Sequence, residues 1–164
     1  MAPRLLIAAA VACCASCDQG ALQDGGTWRT TIAGKPFALT VSASDPTRTK
    51  GLGGVAEIPA DGGMVFVFPA AEMRAFWMVD CIVDMDIVYL DPLGYVTAIH
   101  TMRKEPPRRP DEAPYAYEAR LPRYSSVLPA QYAIELRAGR AAELGLRTSQ
   151  KVTLDTAALK AALR

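Results

Sequence analysis

Gly63-Met64-Val65-Phe66-Val67-Phe68 is the stretch of sequence that decides the fold. Successive side chains of an extended strand point to opposite faces of a sheet. In this stretch both sets of side chains are apolar, with methionine and phenylalanine on one face and valine on the other. The stretch therefore predicts a central strand that is covered on both sides.

Shorter strand patterns recur at close spacing on either side of this stretch. We expect them over residues 28–32, 36–41, 76–78, 85–91, 95–100, 132–136 and 151–154. Residues 132–136 alternate apolar and polar side chains, which predicts a half-buried strand, and Asp91-Pro92-Leu93-Gly94 predicts a type I turn. Helical patterns are expected at residues 140–144 and 155–163, and residues 44–47 are either a stop or the cap of a short helical turn. The chain is thus expected to be all-β, a compact β-sandwich-like or barrel-like single domain with one or two short helices.

The amino terminus has the pattern of an export signal. Arg4 precedes an apolar run over residues 5–12, and small residues with three cysteines follow it. This run is shorter than the roughly 20 residues that a membrane-spanning helix needs. A cysteine after small residues is similar to the lipidation site of a bacterial lipoprotein, which favours Cys17 and leaves Cys13 as the alternative.

These features predict how the chain is organised and where it resides. Residues 1–16 are expected to be a lipoprotein-type signal, 17–27 a tether and 28–164 one β-rich domain. A diacylated cysteine carries two acyl chains, the number that stable anchoring needs. We therefore expect an exported protein of the periplasm or outer cell envelope. A lipid anchor is expected to hold it to a membrane.

The charge balance gives no reason to expect a nucleic-acid partner. The chain has 18 basic and 17 acidic residues, whereas proteins that bind nucleic acid use a basic excess to neutralise phosphates. His100 is the single histidine, and Cys81 is the one cysteine beyond the signal region, so zinc-ligand spacing is not seen. No cofactor is predicted. The expected partners are the membrane and either an envelope protein or a small molecule.

Three aspartates follow the aromatic block. If residues 79–91 are extended throughout, Asp80, Asp84 and Asp86 share one face, and Glu135 on a later strand either approaches them or faces water. Neighbouring carboxylates could hold a divalent cation or divide acid and base roles. The alternative is that these aspartates accept backbone hydrogen bonds in a loop. Phe76 and Trp77 are either core residues or walls of an aromatic cleft for a small ligand.

Several of these motifs together resemble a known family. They are Gly51-Leu52, the stretch 63–68, Phe76-Trp77-Met78, Met85-Asp86-Ile87, Gly94, and Tyr132-Ala133-Ile134-Glu135 leading to Gly139. In this pattern the chain resembles the bacterial and archaeal domain of unknown function 192. The resemblance implies a compact β-sandwich-like fold, often exported, with no assigned activity. Asp80 and Cys81 stand where the family usually has asparagine and threonine, so a polar site there would differ in this chain.

Two functional hypotheses follow from the sequence. The first is a lipid-anchored envelope protein of unknown activity that acts as a binding or accessory module, because an aromatic-rich sheet occurs without a catalytic motif. The second is a metal-dependent or carboxylate-based enzyme that uses the cluster of Asp80, Asp84 and Asp86.

Overall fold

The computed structural model describes residues 21–164, which form eight strands and four short helices. The strands are β1 (Thr27–Ile32), β2 (Lys35–Ser42), β3 (Met64–Glu72), β4 (Ala75–Phe76), β5 (Met85–Leu90), β6 (Val96–Met102), β7 (Tyr124–Ser125) and β8 (Ala130–Arg137). The helices are α1 (Asp45–Lys50), α2 (Pro114–Arg120), α3 (Arg140–Glu143) and α4 (Thr156–Ala161). The expected signal, the lipidation candidates Cys13 and Cys17 and the first part of the tether lie outside the described residues.

Six strands form one mixed sheet in the order β1-β2-β3-β8-β5-β6. The β2–β3 pair is parallel and the remaining pairs are antiparallel. Strands β4 and β7 form a separate two-stranded sheet. The barrel-like alternative is wrong, because β1 and β6 are the free edges of an open sheet. A mainly β architecture is confirmed, although it has four short helices where one or two were expected.

The β1–β2 hairpin forms as its alternation predicts, with Thr30 opposite Phe37 and Ile32 opposite Lys35. Ala33 and Gly34 make the turn, and both have positive φ angles, 48° and 77°. Two successive left-handed residues are the geometry of the two-residue turns that match the twist of paired strands.

Strand β3 is the doubly covered strand that the sequence predicts. Val65 and Val67 lie on the face of the sheet that packs against α3 and α4, which we call the helix face. Met64, Phe66 and Phe68 lie on the opposite face, which packs against residues 52–58, β4 and β7 and which we call the loop face. The sheet therefore separates two hydrophobic cores.

Strand β8 is not half-buried as expected. It pairs with β3 on one side and β5 on the other, so every residue from Ala130 to Leu136 is buried. Its alternation distributes side chains between two cores instead of between core and water. As a result Gln131 and Glu135 face protein on the loop face.

Gly63 permits β3 to start close to β8. Its φ is +138°, and a Cβ at this position would lie 2.1 Å from the carbonyl oxygen of Glu135. No side chain fits at that distance, so the residue before β3 must be glycine.

The remaining expectations hold in part. Gly94 donates to the carbonyl of Asp91 at 3.0 Å, as the predicted turn requires, and the carboxylate of Asp155 caps α4. The strand expected at 76–78 is reduced to β4, and that expected at 151–154 is reduced to a single bridge between Tyr95 and Lys151.

Candidate functional site

A groove of about 960 Å³ opens on the loop face, beside β3 and the middle of β8. We call it the Glu135 groove. Its lining includes Gly51, Phe66, Phe76, Trp77, Cys81 and Glu135. The turn after α1 forms one side, and the segment from β4 to Cys81 forms the other.

The aromatic wall of the groove is held in place by edge-to-face contacts. The ring centroid of Phe76 lies 4.8 Å from that of Phe66 and 5.6 Å from that of Tyr89, with both pairs close to perpendicular. The hydroxyl of Tyr89 donates to the carbonyl of Tyr124 at 2.6 Å and accepts from the amide of Phe76 at 3.1 Å. Burial raises the pKa of Tyr89 above its usual range. Tyr89 therefore stays neutral, and its two hydrogen bonds hold β4 and β7 over the sheet.

Phe76 and Trp77, the sequence candidates for an aromatic cleft, both border the groove. Their rings are not equally available to a ligand. The guanidinium of Arg123 lies 3.5 Å from the centroid of Trp77, which covers one face of the indole by a cation–π contact. Phe76 provides apolar surface inside the groove, and the fully buried Phe66 supports its ring from below.

Glu135 is the buried carboxyl of this groove. It lies between Ile87 of β5 and Met64 of β3 in the register of the sheet and is 4% exposed. Its Oε2 atom has no hydrogen-bond partner within the described part of the chain. Burial raises the pKa of this carboxyl to about 8, and the nearby backbone N–H of Leu52 offsets only part of that effect. Below that pH the group is a neutral acid that can donate a proton.

Gly51 covers this carboxyl with backbone alone. A Cβ on Gly51 would lie 3.7 Å from Oε2 of Glu135 and 3.5 Å from the tip of Phe66. Any larger side chain would fill the space above the carboxyl. Gly51 therefore keeps this part of the turn free of bulk.

Asp86, in contrast, lies on the helix face, opposite Leu136. One carboxylate oxygen accepts from the hydroxyl of Thr101 at 2.7 Å, and the other accepts from the backbone amide of Ala141 at 2.8 Å. Asp86 therefore ties β5 to β6 and to the start of α3, and it is separated from Glu135 by the sheet itself.

Asp84 lies just before β5 and follows the predicted alternation with Asp86, but it faces a separate set of partners. It accepts from the backbone amide of Lys104 at 2.8 Å and from the guanidinium of Arg103 at 2.7 Å. The Lys104 amide first, and then the Arg103 side chain, hold the pKa of Asp84 below its usual range.

Asp80 is in a turn instead of an extended segment, with φ at +54°. Its backbone amide donates to the hydroxyl of Tyr117 and its carbonyl accepts from Gly54. The four carboxylates that the sequence grouped are thus divided in two. Asp84 and Asp86 make structural bonds, whereas Asp80 and Glu135 border the groove.

Two further kinds of side chain bear on the chemistry of the site, metal ligands and nucleophiles. Within residues 21–164 no three histidine, cysteine, aspartate or glutamate side chains lie close enough together to hold a metal ion. His100 directs Nε2 at the backbone carbonyl of Ser125, 2.7 Å away, and not at its hydroxyl. Burial, then the charges of Glu135 and Asp80, raise the pKa of the Cys81 thiol to about 11, so this thiol is protonated at neutral pH and is a poor nucleophile.

Sequence reasoning missed the central position of Glu135 and the roles of Gly51 and Arg48. Arg48 lines the groove and donates to the carbonyl of Val67 at 2.9 Å, which ties α1 to β3. The available signal for Glu135 was Ala133, a small apolar residue in the middle of the supposedly polar face of its strand.

Two solved structures share this fold. A candidate transcription regulator from Sinorhizobium meliloti 1021 superposes with a TM-score of 0.60 at 20% identity, over 80% of this chain and 95% of that one. A protein of unknown function from Novosphingobium aromaticivorans DSM 12444 gives a TM-score of 0.59 at 23% identity, over 78% of this chain and 82% of that one. At such identities the likeness shows the fold alone.

Comparison with functionally curated proteins found no match. Among the helices of residues 21–164, none has the length and apolar character needed to cross a membrane. The family model of DUF192, described as an uncharacterized ACR, matches residues 28–154. Because this match covers most of the sequence, the chain belongs to the DUF192 family.

Proposed function

We propose that this protein is a lipid-anchored binding module of the cell envelope that holds a small molecule in the Glu135 groove. The observation that carries the proposal is the Glu135 carboxyl, buried at the base of an aromatic-walled groove with one oxygen unpartnered. A buried polar group without a hydrogen bond lowers stability by about 1–3 kcal/mol. A bound molecule that supplies the missing hydrogen bond would recover that loss.

A binding role also fits the chemistry of the surrounding side chains. Tyr89 is fixed by two hydrogen bonds, Cys81 is held in its protonated form, and His100 contacts a backbone carbonyl. Ligand sites typically combine apolar walls with a small number of placed polar groups, which is the composition of this groove.

The proposed location in the cell envelope is inferred from the amino-terminal sequence. The charged start, short apolar run and following cysteines support a lipoprotein signal, with Cys17 as the acylated residue and Cys13 as the alternative. The tether expected over residues 17–27 would let the groove face away from the membrane surface.

The anchor is tested by labelling cells with an alkyne analogue of palmitate. Cys17→Ser is expected to lose the label and move the protein to the soluble envelope fraction, while the matched variant Cys13→Ser retains both. Loss of label in Cys13→Ser instead would move the anchor to Cys13. An unlabelled wild-type protein would show that the chain is not lipidated.

Ligand binding is tested by thermal unfolding of the full-length protein against small envelope metabolites and divalent metals. A ligand at 100 times its dissociation constant adds about 2.7 kcal/mol of stability. We expect at least one organic compound to raise the melting temperature of the wild type and of Asp84→Asn, but not of Glu135→Gln. A panel without any such shift, together with unchanged groove amides in NMR spectra, would contradict the binding role.

The enzyme alternative requires Asp80, Asp84 and Asp86 to act together. In the described residues Asp84 and Asp86 are occupied by partners on and beyond β6, and Asp80 lies in a separate turn. The metal arm of the same panel tests this alternative, since a metal-dependent rise in melting temperature that Asp84→Asn abolishes would favour it over the groove.

A further inference from the structure

Some of the charged residues that line the Glu135 groove have an ion-pair partner and others do not. The charged lining residues in the described part of the chain are Asp45, Arg48, Lys50, Arg74, Asp80, Glu118 and Glu135. Arg48 pairs with Asp45 at 2.5 Å, and Arg74 pairs with Glu72 at 3.2 Å. Both guanidiniums also lie over the ring of Phe68. Each of the two arginines therefore already has an acid partner, and both acids are largely exposed.

What is left at the groove is predominantly acidic. Asp80, Glu118 and Glu135 remain against the single ammonium of Lys50. The thiol of Cys81 lies close to these acids. Its pKa is raised first by burial and then by the charges of Glu135 and Asp80. An anionic ligand would meet repulsion here, whereas a cation would be attracted.

Two buried polar atoms of the lining have no hydrogen-bond partner within the described residues, Nε of Arg74 and Oε2 of Glu135. The Arg74 guanidinium already bonds to the carbonyl of Ala70 and pairs with Glu72, whereas Oε2 is the unpartnered acceptor. Oε2 of Glu135 exposes less than 1 Å² and has no donor within residues 21–164, while the amide of Leu52 lies against the carboxyl. The turn at Gly51 lies over Oε2, so a ligand reaches it by displacing this turn. An N–H donor of a ligand would complete the hydrogen bonding of the carboxylate.

The walls of the groove favour an organic cation over a metal ion. Phe76 presents apolar surface in the groove, and the fully buried ring of Phe66 packs edge to face against it. Hard metal ions need several oxygen ligands, and no group of three such side chains exists in the part of the chain that the structure describes. Aromatic surface attracts ammonium groups and also packs against their apolar substituents.

We propose that the occupant of the Glu135 groove is a primary amine, whose ammonium group donates to Oε2 of Glu135 and whose apolar body packs on Phe76. This inference rests on the proposed binding role and names the chemical class of the ligand. Binding converts the buried carboxyl to a carboxylate that is paired with the ammonium, and the displaced proton goes to solvent.

The proton balance gives the inference a distinctive pH dependence. Free Glu135 has a pKa raised to about 8 by its burial, so at lower pH the ammonium must displace a proton. The titratable and charged groups around it are Cys81 and Asp80 from the segment after β4, Tyr89 from β5, Glu118 from α2, Arg74 from the segment before β4, and Asp45, Arg48 and Lys50 from α1. The tyrosine and the thiol have raised pKa values, so they stay neutral over this range.

Amine affinity is therefore expected to rise about tenfold per pH unit from pH 6 to pH 8 and then to level off. A ligand that accepts a hydrogen bond from the neutral acid would show the opposite trend. It would bind constantly below pH 8 and weaken above it.

The test uses matched probes on the full-length protein. Propylamine, hexylamine and 2-phenylethylamine are each compared with the alcohol and the carboxylate of the same apolar body, by calorimetry in buffers of different ionisation enthalpy. We expect the amines to bind at least tenfold more tightly than their partners at pH 8 and to release close to one proton at pH 6.5. Glu135→Gln should lose this preference.

Asp80→Asn is the second variant, because asparagine tolerates the left-handed backbone of this position. It keeps Glu135 and should weaken amine binding about threefold by removing a nearby charge. Preferred binding of alcohols or carboxylates in a Glu135-dependent manner would overturn the amine assignment and leave the binding role intact. If none of the nine probes binds and groove amides do not respond to any metabolite, both proposals fail.

Discussion

Asp86 and Glu135 are buried carboxyls on neighbouring strands, but their surroundings differ. Asp86 is 1% exposed and Glu135 is 4% exposed, and they lie one residue apart in the β5–β8 register. Asp86 points to the helix face, where a hydroxyl and a backbone amide donate to it. Glu135 points to the loop face and leaves one oxygen without a donor.

The difference shows which carboxyl serves the fold. A buried charged group is retained for structure when its hydrogen bonds are complete, as those of Asp86 are. A buried acid with an unfilled acceptor is destabilising by itself, and such groups concentrate at functional sites. The two faces of one sheet therefore differ. On the helix face the buried carboxyl has donors for both oxygens, and on the loop face the buried carboxyl lacks a donor for one of them.

The largest expected effect comes from Gly63, which holds the backbone of Glu135 against β3. Gly63→Ala would place a Cβ 2.1 Å from the Glu135 carbonyl and strain a φ of +138°. We expect a loss of more than about 3 kcal/mol in the free energy of unfolding, measured with urea, because backbone cannot move aside as a side chain can.

Gly54→Ala is the control for that variant. Its φ is +76°, but nothing lies within 4 Å of the added Cβ, so it isolates backbone strain from collision. It should lose only about 1 kcal/mol. Equal losses in the two variants would mean that the close approach of β3 to β8 does not limit stability.

The second largest expected effect is the change in stability on replacing Glu135. Its sign distinguishes Glu135, because the replacement is expected to stabilise the protein. Because the pKa of Glu135 is raised from 4.5 to about 8 in the folded protein, the folded state binds more protons than the unfolded state between these values. Wild-type stability should therefore fall from pH 4.5 to pH 8 and stay level above it. Glu135→Gln lacks this slope and should be more stable than wild type by about 3 kcal/mol at pH 7, with no advantage at pH 4.

Urea unfolding of both proteins from pH 4 to pH 9 measures this difference. A pH-independent gap would show that Glu135 does not titrate as a buried acid. A gap of the opposite sign would mean that the carboxylate is stabilised by a partner and is not the open group of the groove.

Asp86→Asn should be destabilising, in contrast to Glu135→Gln. The new amide can point only one oxygen at two donors, so either Thr101 or the backbone of Ala141 loses its acceptor. A loss of about 2 kcal/mol is expected at neutral pH. Thr101→Val in the Asp86→Asn background should add less than it does alone, because the two residues share one hydrogen-bond network. Simple additivity of the two losses would contradict that coupling.

The sequence was sufficient where a pattern is local. The apolar alternation of β3, the β1–β2 hairpin and the turn before Tyr95 all form where they were predicted, because each depends on neighbours in the chain. The position of β8 in the sheet depends on pairing with β3 and β5, which no local pattern records. Its polar alternation was therefore interpreted as a face in water when it is a face in the second core.

The candidate site was predictable to a similar extent. Phe76, Trp77, Asp80 and Glu135 were each selected from the sequence, and all four border one groove. The sequence could not show that the carboxylates separate into two sets. The prediction that alternate residues share a face assumed that residues 79–91 form one unbroken strand. The positive φ of Asp80 breaks that strand, and the register of β8 decides which face Glu135 takes.

Asp84 extends the comparison to a carboxylate in contact with water and carries the smallest effect. Its side chain is 28% exposed and its partner Arg103 is 71% exposed, so solvent screens the ion pair. The pKa of Asp84 is lowered by the Lys104 amide and by Arg103, so its contribution is present above its unfolded pKa and is lost as pH falls through the folded value. Asp84→Asn should cost about 0.2–1 kcal/mol at pH 7, and adding 1 M salt should reduce that difference. If the loss equals that of Asp86→Asn and resists salt, exposure does not explain the contrast among the three carboxylates, and the hydrogen bond to the Lys104 backbone dominates instead.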